Sequence, residues 1–290
     1  MLFKVALSFL FAASAAATAC NGNAALCSRQ WSNVTQIGTH DSAFVGILPT
    51  DNQYESLTAQ LNAGIRFLQG QTHIKNGALE MCHTTCTEED AGTLVSYLTT
   101  VTTWMAANPN EVITLLLTNG DSAAVSLFGA AMQSSGLSAY AYTPPSQLAM
   151  SDWPTLQELI DNDTRLVMFL DYGANTADVP YILDEFSYFF ETEFDETDST
   201  FSSCALNRPA GSSGADLMMI VNHFLDLDIF GILIPDNAAD AKTNAATGTG
   251  SIGAQADLCI STWGRSPNFI LVDDFNVGNV FAAQNTLNHL

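Results

Sequence analysis

The chain has 290 residues, 47% of them hydrophobic, and 30 acidic side chains against 8 basic ones, for a net charge of −22. That apolar share is enough for a sizeable core, and the length suits one large domain such as an α/β barrel. So few cations, with no basic stripe, exclude nucleic acid as a partner and argue against strong adsorption to anionic membranes.

In chain order, Lys4 precedes an apolar run, and Ala17-Thr18-Ala19 forms a small-residue cleavage pattern. A secretory signal peptide is predicted over 1–19, with a mature domain over 20–290 and an extracellular location. No later run reaches membrane-spanning length. Six cysteines, all beyond the signal segment, suit an oxidising compartment. The local pairs Cys20–Cys27 and Cys82–Cys86 are favoured, which leaves Cys204–Cys259, although six cysteines allow other pairings. Asn33-Val34-Thr35 and Asn162-Asp163-Thr164 are glycosylation sequons that fit a secreted glycoprotein.

NVTQIGT reads as strand one. ESLTAQLNAG reads as a helix ended by Gly64, and IRFLQGQTH as strand two. GTLVSYLTTVTTWMAANPN places Leu94, Tyr97, Leu98, Val101, Trp104 and Met105 on one helical face, between a Thr93 cap and an Asn108-Pro109 stop. EVITLLLT, apolar at nearly every position, is a buried strand three. A helix over 123–134 leads to SAYAY as strand four. TLQELIDN is a helix, RLVMFLD strand five, YILDEF a short helix and SYFFET strand six. An irregular stretch containing Cys204 follows. DLMMIVNH and NFILVDD are strands seven and eight, and NVFAAQNTLN is a closing helix. Strands with interposed helices in this order predict a single-domain, irregular TIM-type (β/α)8 barrel.

The polar residues gather at the strand ends. His40 and Asp41 follow strand one. Gln69, Gln71 and His73 alternate on one face of strand two, and His83 lies in the loop beyond it. Asn119 and Asp121 follow strand three, Asp171 ends strand five, and Asn222 and His223 end strand seven. Asp273 and Asp274 end strand eight. Barrel active sites are built at these C-terminal ends. The aromatic run YFFETEF offers either core packing or a cavity wall.

In sequence order, IGTHDSAF, GIRFLQGQTH, CHTTC, WMAANPNEVITLLLTN, RLVMFLDY, VNHF and PNFILVDDFN resemble the secreted fungal phospholipase-C-like phosphodiesterases, relatives of phosphatidylinositol-specific phospholipase C and its X domain. The resemblance covers most of the mature chain. It implies a two-histidine mechanism in which His40 is a general base, His83 in CHTTC is its partner, Asp41 supports catalysis, and Asp273 supports His40, with Asp274 as the register alternative. A substrate hydroxyl attacks phosphorus, so no protein nucleophile is needed. One histidine takes that proton and the other protonates the leaving alkoxide. A buried carboxylate fixes the imidazole tautomer and stabilises the imidazolium.

One part of the family pattern is missing. Bacterial relatives place an arginine at the end of strand two, and calcium-dependent relatives place acidic ligands there. Here Gln69 and Gln71 occupy what are read as those positions, with Thr118 at another. No calcium site of the eukaryotic phospholipase C type is therefore expected, and the cofactor is left undetermined. Asp121, Asp171 and Asp273 have no recognised metal-ligand spacing. Arg66 is read as structural, on the opposite strand face. The expected substrate is a small phosphodiester or lipid headgroup, bound by a monomer through Gln69, Gln71, His73, Asn119, Asp171 and His223. Two other readings stand beside this one. The first is a catalytically impaired barrel that binds a sugar, lipid headgroup or host protein through the same cleft. The second is a hydrolase with paired carboxylates, Asp171 or Glu191 near Asp273.

Overall fold

A computed structural model describes residues 19–290; the predicted signal segment lies almost wholly outside them. Strand β1 (Gln36–Thr39) leads to helix α1 (Leu57–Ala63) and the long strand β2 (Phe67–Lys75). Strands β3 (Ala78–His83) and β4 (Glu89–Thr93) precede α2 (Leu94–Ala107), β5 (Ile113–Asn119), α3 (Val125–Ser134) and α4 (Leu156–Asp161). Then come β6 (Leu166–Leu170), β7 (Ile182–Asp184), β8 (Phe189–Glu191) and β9 (Met218–Asn222). A hairpin of β10 (Asp226–Ile229) and β11 (Ile232–Pro235) precedes α5 (Asp240–Thr243), α6 (Ile252–Trp263), β12 (Phe269–Val272) and α7 (Val280–Leu287).

The main sheet runs β7-β6-β5-β2-β1-β12-β9-β8, and every neighbouring pair is parallel. It curls into the predicted TIM-type α/β barrel, a single domain. No ladder joins β7 to β8, so the barrel is open there. The cause is local: only a short 3-10 turn over Glu185–Ser187 separates them, too little chain for a parallel crossover.

Two expectations about single elements change. SAYAY is not strand four. Leu137–Tyr140 is a 3-10 turn, and Ala141 makes one isolated bridge to Leu166. YILDEF is not a helix, because Ile182–Asp184 pairs with β6 as the fifth barrel strand. The number of barrel strands survives because one error offsets the other. The β3–β4 excursion, the β10–β11 hairpin and α6 were not foreseen.

Alternation along the strands builds two cores. Inward positions carry Phe67, Phe169, Phe189 and Phe269, all buried and closed below by Trp31 and Trp153. The Phe67 and Phe269 rings lie 4.3 Å apart, and those of Phe169 and Phe189 lie 5.0 Å apart. Gly38 makes room for this filling, since a Cβ there would stand 2.4 Å from the Phe67 ring. Outward positions such as Ile37, Leu115, Met168 and Ile270 pack against the helices. All six apolar residues predicted on α2 are buried there, and Thr93 caps the helix by accepting from the Ser96 amide at 3.1 Å. Three disulfides join Cys20–Cys27, Cys82–Cys86 and Cys204–Cys259. Both sequon asparagines are exposed. Among the described residues, no helix is long and apolar enough to cross a membrane.

Candidate active site

β1 delivers His40 to the barrel mouth. The chain then turns through Asp41 at φ 45, a left-handed conformation that aspartate tolerates better than most residues. The turn is held by two contacts from β2: the Asp41 amide donates to Gln69 Oε1 at 2.7 Å, and Ser42 donates to the Gln69 carbonyl. The Asp41 carboxylate is fully buried, and its Oδ2 lies 3.4 Å from Nε2 of both His40 and His83. Gln71 donates to the same oxygen at 2.7 Å and accepts from the Thr84 amide, so it ties Asp41 to the turn that carries His83. The Cys82–Cys86 bridge closes that turn.

On the other side of the ring, His40 Nδ1 donates to Asp273 Oδ1 at 2.9 Å. The Asn52 amide donates to both Asp273 oxygens at 3.2 Å. Asp274 instead accepts from Asn237, so Asp273 is the residue that reaches His40. The Phe224 ring stacks flat on His40, with centroids 3.6 Å apart. Burial alone would lower the His40 pKa; the charges of Asp41 and Asp273 and the Asp273 hydrogen bond overcome it and raise it to about 9. Burial opposes ionisation of Asp41, yet His40, His83 and Gln71 hold its carboxyl below the usual range. His83 is raised by Asp41 against burial.

Beside His40 lies a cavity of about 240 Å³, whose lining includes Gln69, Gln71, Thr118, Asp171, Glu191 and Phe224. Arg208 lines the cavity, reached from the long stretch after β8, and its guanidinium pairs with Glu191 and stacks on Phe194 at 4.4 Å. Glu185 faces it from the open β7–β8 seam, and burial together with Glu191 pushes its carboxyl well above the ordinary range. Burial raises Asp171 to about 6. The sequence reading missed Arg208 and Glu185 because neither sits at a predicted strand end. With only 8 basic residues in the chain, the scarcity of cations is the one sequence signal that points to its arginines. Arg66 is structural: it donates to Glu111 and to the Leu61 and Ile65 carbonyls, and it stacks over Trp104.

Three of the expected binding residues do not reach this cavity. His223 points away, with Nδ1 against Gln255 and Nε2 donating to the Thr243 carbonyl. Asn119 accepts from the Ala123 amide and donates to the Ala123 and Tyr172 carbonyls. Both fail by strand parity: Asn222 and Phe224 face the cavity and His223 between them cannot, while Thr118 faces it and Asn119 does not. His73 has the right parity, but β2 leaves its ladder with β5 after Thr72 to pair with β3. His73 instead contacts Asp121 at 3.0 Å. His83 ends β3 rather than lying in a free loop. Among the described residues, no group of three or more His, Cys, Asp or Glu is arranged to hold a metal ion.

Fold and mouth together define a TIM-type α/β protein with two histidines sharing one buried carboxylate. The family model described as PI-PLC X 1 matches residues 26–288. A PI-PLC X domain-containing protein 1 of Arthroderma benhamiae is 50% identical over 273 residues, covering 93% of this chain and 90% of that protein. An uncharacterized secreted protein of the same fungus is 46% identical over 271 residues, spanning 90% of this chain and 61% of that one. Phosphatidylinositol-specific phospholipase C from Listeria monocytogenes shares the fold, with a TM-score of 0.56, 17% identity and coverage of 91% and 95% of the two chains. The chain belongs to the PI-PLC X family, as its motifs implied.

Proposed function

We propose that this protein is a secreted phosphodiesterase or lyase that cleaves an inositol phospholipid, a glycosylated inositol phosphate or a related diester by two-histidine acid–base catalysis. The observation that carries this reading is the single Asp41 oxygen lying 3.4 Å from Nε2 of both His40 and His83. His40 is the stronger base of the pair, because Asp273 and Asp41 stabilise its imidazolium once it has taken the hydroxyl proton. His83 then protonates the leaving oxygen. Arg208 supplies the positive charge that phosphoryl transfer requires. In acid, Glu185 and Asp171 bind protons and stop competing for that charge, which favours an anionic phosphodiester.

A second reading has its own support. Arg208 is already paired with Glu191, an arrangement that also suits a barrel that binds a headgroup or sugar without cleaving it. One experiment separates the two. The secreted protein is incubated with phosphatidylinositol, glycosylated inositol phosphates and glycerophosphodiesters, with and without chelator, from acidic pH to about pH 9, where His40 is free to act as base. Products are read by phosphorus NMR. Turnover to cyclic phosphate or monoester supports the enzyme; saturable binding with no product across the panel defeats it.

A further inference from the structure

The end of the barrel opposite the mouth holds a cavity of about 610 Å³, the size of a small-molecule pocket. Residues 32–35 and 265–268 line it and run directly into β1 and β12, which start in register at Gln36 and Phe269. His40 and Asp273 follow the other ends of the same two strands. Four residues of strand, about 13 Å, therefore separate this cavity from the candidate active site.

The charge of the cavity runs against that of the molecule. Arg66, Arg165 and Arg208 each pair with a carboxylate. The two other arginines, Arg29 and Arg265, form no ion pair among the described residues, and both line this cavity. No aspartate or glutamate lines it, in a chain that has 30 of them. Arg265 is anchored through Nη2, which donates to the neutral carbonyls of Gly214 and Leu217. Burial lowers its pKa, and Asp216 attracts the guanidinium without reaching ion-pair distance. Arg29 is half-buried, and its side chain has no hydrogen-bond partner among the described residues. Its backbone is fixed, because its carbonyl accepts from the Leu156 amide at 3.0 Å. Cations partly withdrawn from water without a counterion are costly, and an entering anion offsets that cost. Arginine selects an oxyanion, since its planar fork meets phosphate with two hydrogen bonds at once. A bare phosphate would leave most of the cavity empty. The side chains of Asn33, Ser266 and His289 also line it and have no hydrogen-bond partner among the described residues, which suits the hydroxyls of a sugar. We propose that this cavity binds a sugar phosphate, with Arg29 and Arg265 on the phosphate and the uncharged polar lining on the hydroxyls. The site is independent of the proposed phosphodiester chemistry at the mouth.

Calorimetric titration of the secreted protein at neutral pH with glucose 6-phosphate, inorganic phosphate and glucose tests the assignment. Glucose 6-phosphate is a monoester, so diester cleavage at the mouth does not consume it. The wild type is expected to bind it several-fold more tightly than inorganic phosphate, and not to bind glucose. Arg29→Gln should weaken binding at least about tenfold, the scale of one charge-assisted hydrogen bond. Arg29 carries the test because its side chain has no partner to lose, whereas Arg265→Gln also removes two carbonyl contacts. Arg208→Gln, at the mouth, should bind glucose 6-phosphate as the wild type does. Three results would overturn the proposal: no glucose 6-phosphate binding by the wild type, unchanged binding in Arg29→Gln, or binding lost in Arg208→Gln. Inorganic phosphate bound as tightly as glucose 6-phosphate would overturn the sugar part of the assignment.

Discussion

His40 Nδ1 donates to Asp273 Oδ1 at 2.9 Å, and the Asn52 amide holds the carboxylate in place from behind. This contact, with Asp41 on the other ring nitrogen, lifts His40 to about 9 against the effect of burial. If His40 is the base, kcat/KM should climb with pH toward about 9. Asp273→Asn should move that limb to lower pH and lower the plateau by about two orders of magnitude. A limb that stays in place in Asp273→Asn would transfer the base role to His83.

Removal of either histidine is the second test. His40→Ala and His83→Ala are each expected to lower turnover by about two orders of magnitude or more, with a smaller change in substrate binding. Single-turnover rates and binding isotherms on the same variants check the split. Wild-type rates in either variant would defeat the two-histidine mechanism.

Arg208→Gln should lower turnover by roughly two orders of magnitude, the scale of one lost charge-stabilising donor. It should also destabilise the fold by roughly 2 kcal/mol, because Glu191 loses its buried partner while Arg208 itself is partly exposed. Thermal unfolding of wild type and variant measures this; a variant as stable as the wild type would contradict the buried pairing of Arg208 with Glu191.

The fourth expectation concerns pH and stability in the wild type. Burial raises Asp171 and Asp226 to about 6 and Glu89 to about 7, and burial with Asp273 and Asp274 raises Asp240 to about 9. The folded state therefore binds more protons than the unfolded chain, and stability falls as pH rises from about 4 to about 9. The raised His40 acts in the same direction: its contribution is complete below its ordinary 6.5 and lost as pH rises through about 9. The lowered Asp41 acts in the opposite direction, and its contribution is lost as pH falls below the ordinary 3.8. Maximal thermal stability is expected between about pH 4 and 6. A maximum at or above neutrality in a calorimetric pH series would contradict this arrangement.

Local chemistry was enough to read much of this molecule from sequence. The α2 stripe from Leu94 to Met105 follows helical periodicity, and β5 and β6 are apolar runs that fit only a buried strand. His40, Asp41, His83 and Asp273 lie in distinctive motifs, and the structure brings their side chains together. What failed depended on parity and distance. One residue of register separates Phe224 at the mouth from His223 behind it, and strand propensity does not fix that register at a strand end. β7 is too short to be told from a helical turn by pattern, and its place in the sheet comes from the register with Met168–Leu170. Arg208 lies in an irregular segment with no periodicity to orient it. Only the isolated bridge between Arg208 and Glu191 at the open edge of the sheet, with Phe194 against the guanidinium, places it in the cavity. The sequence by itself determined which residues meet at the mouth as the two-histidine cluster. Tertiary packing alone decided which charge faces that motif, because a buried carboxylate must find its counterion wherever the chain brings one.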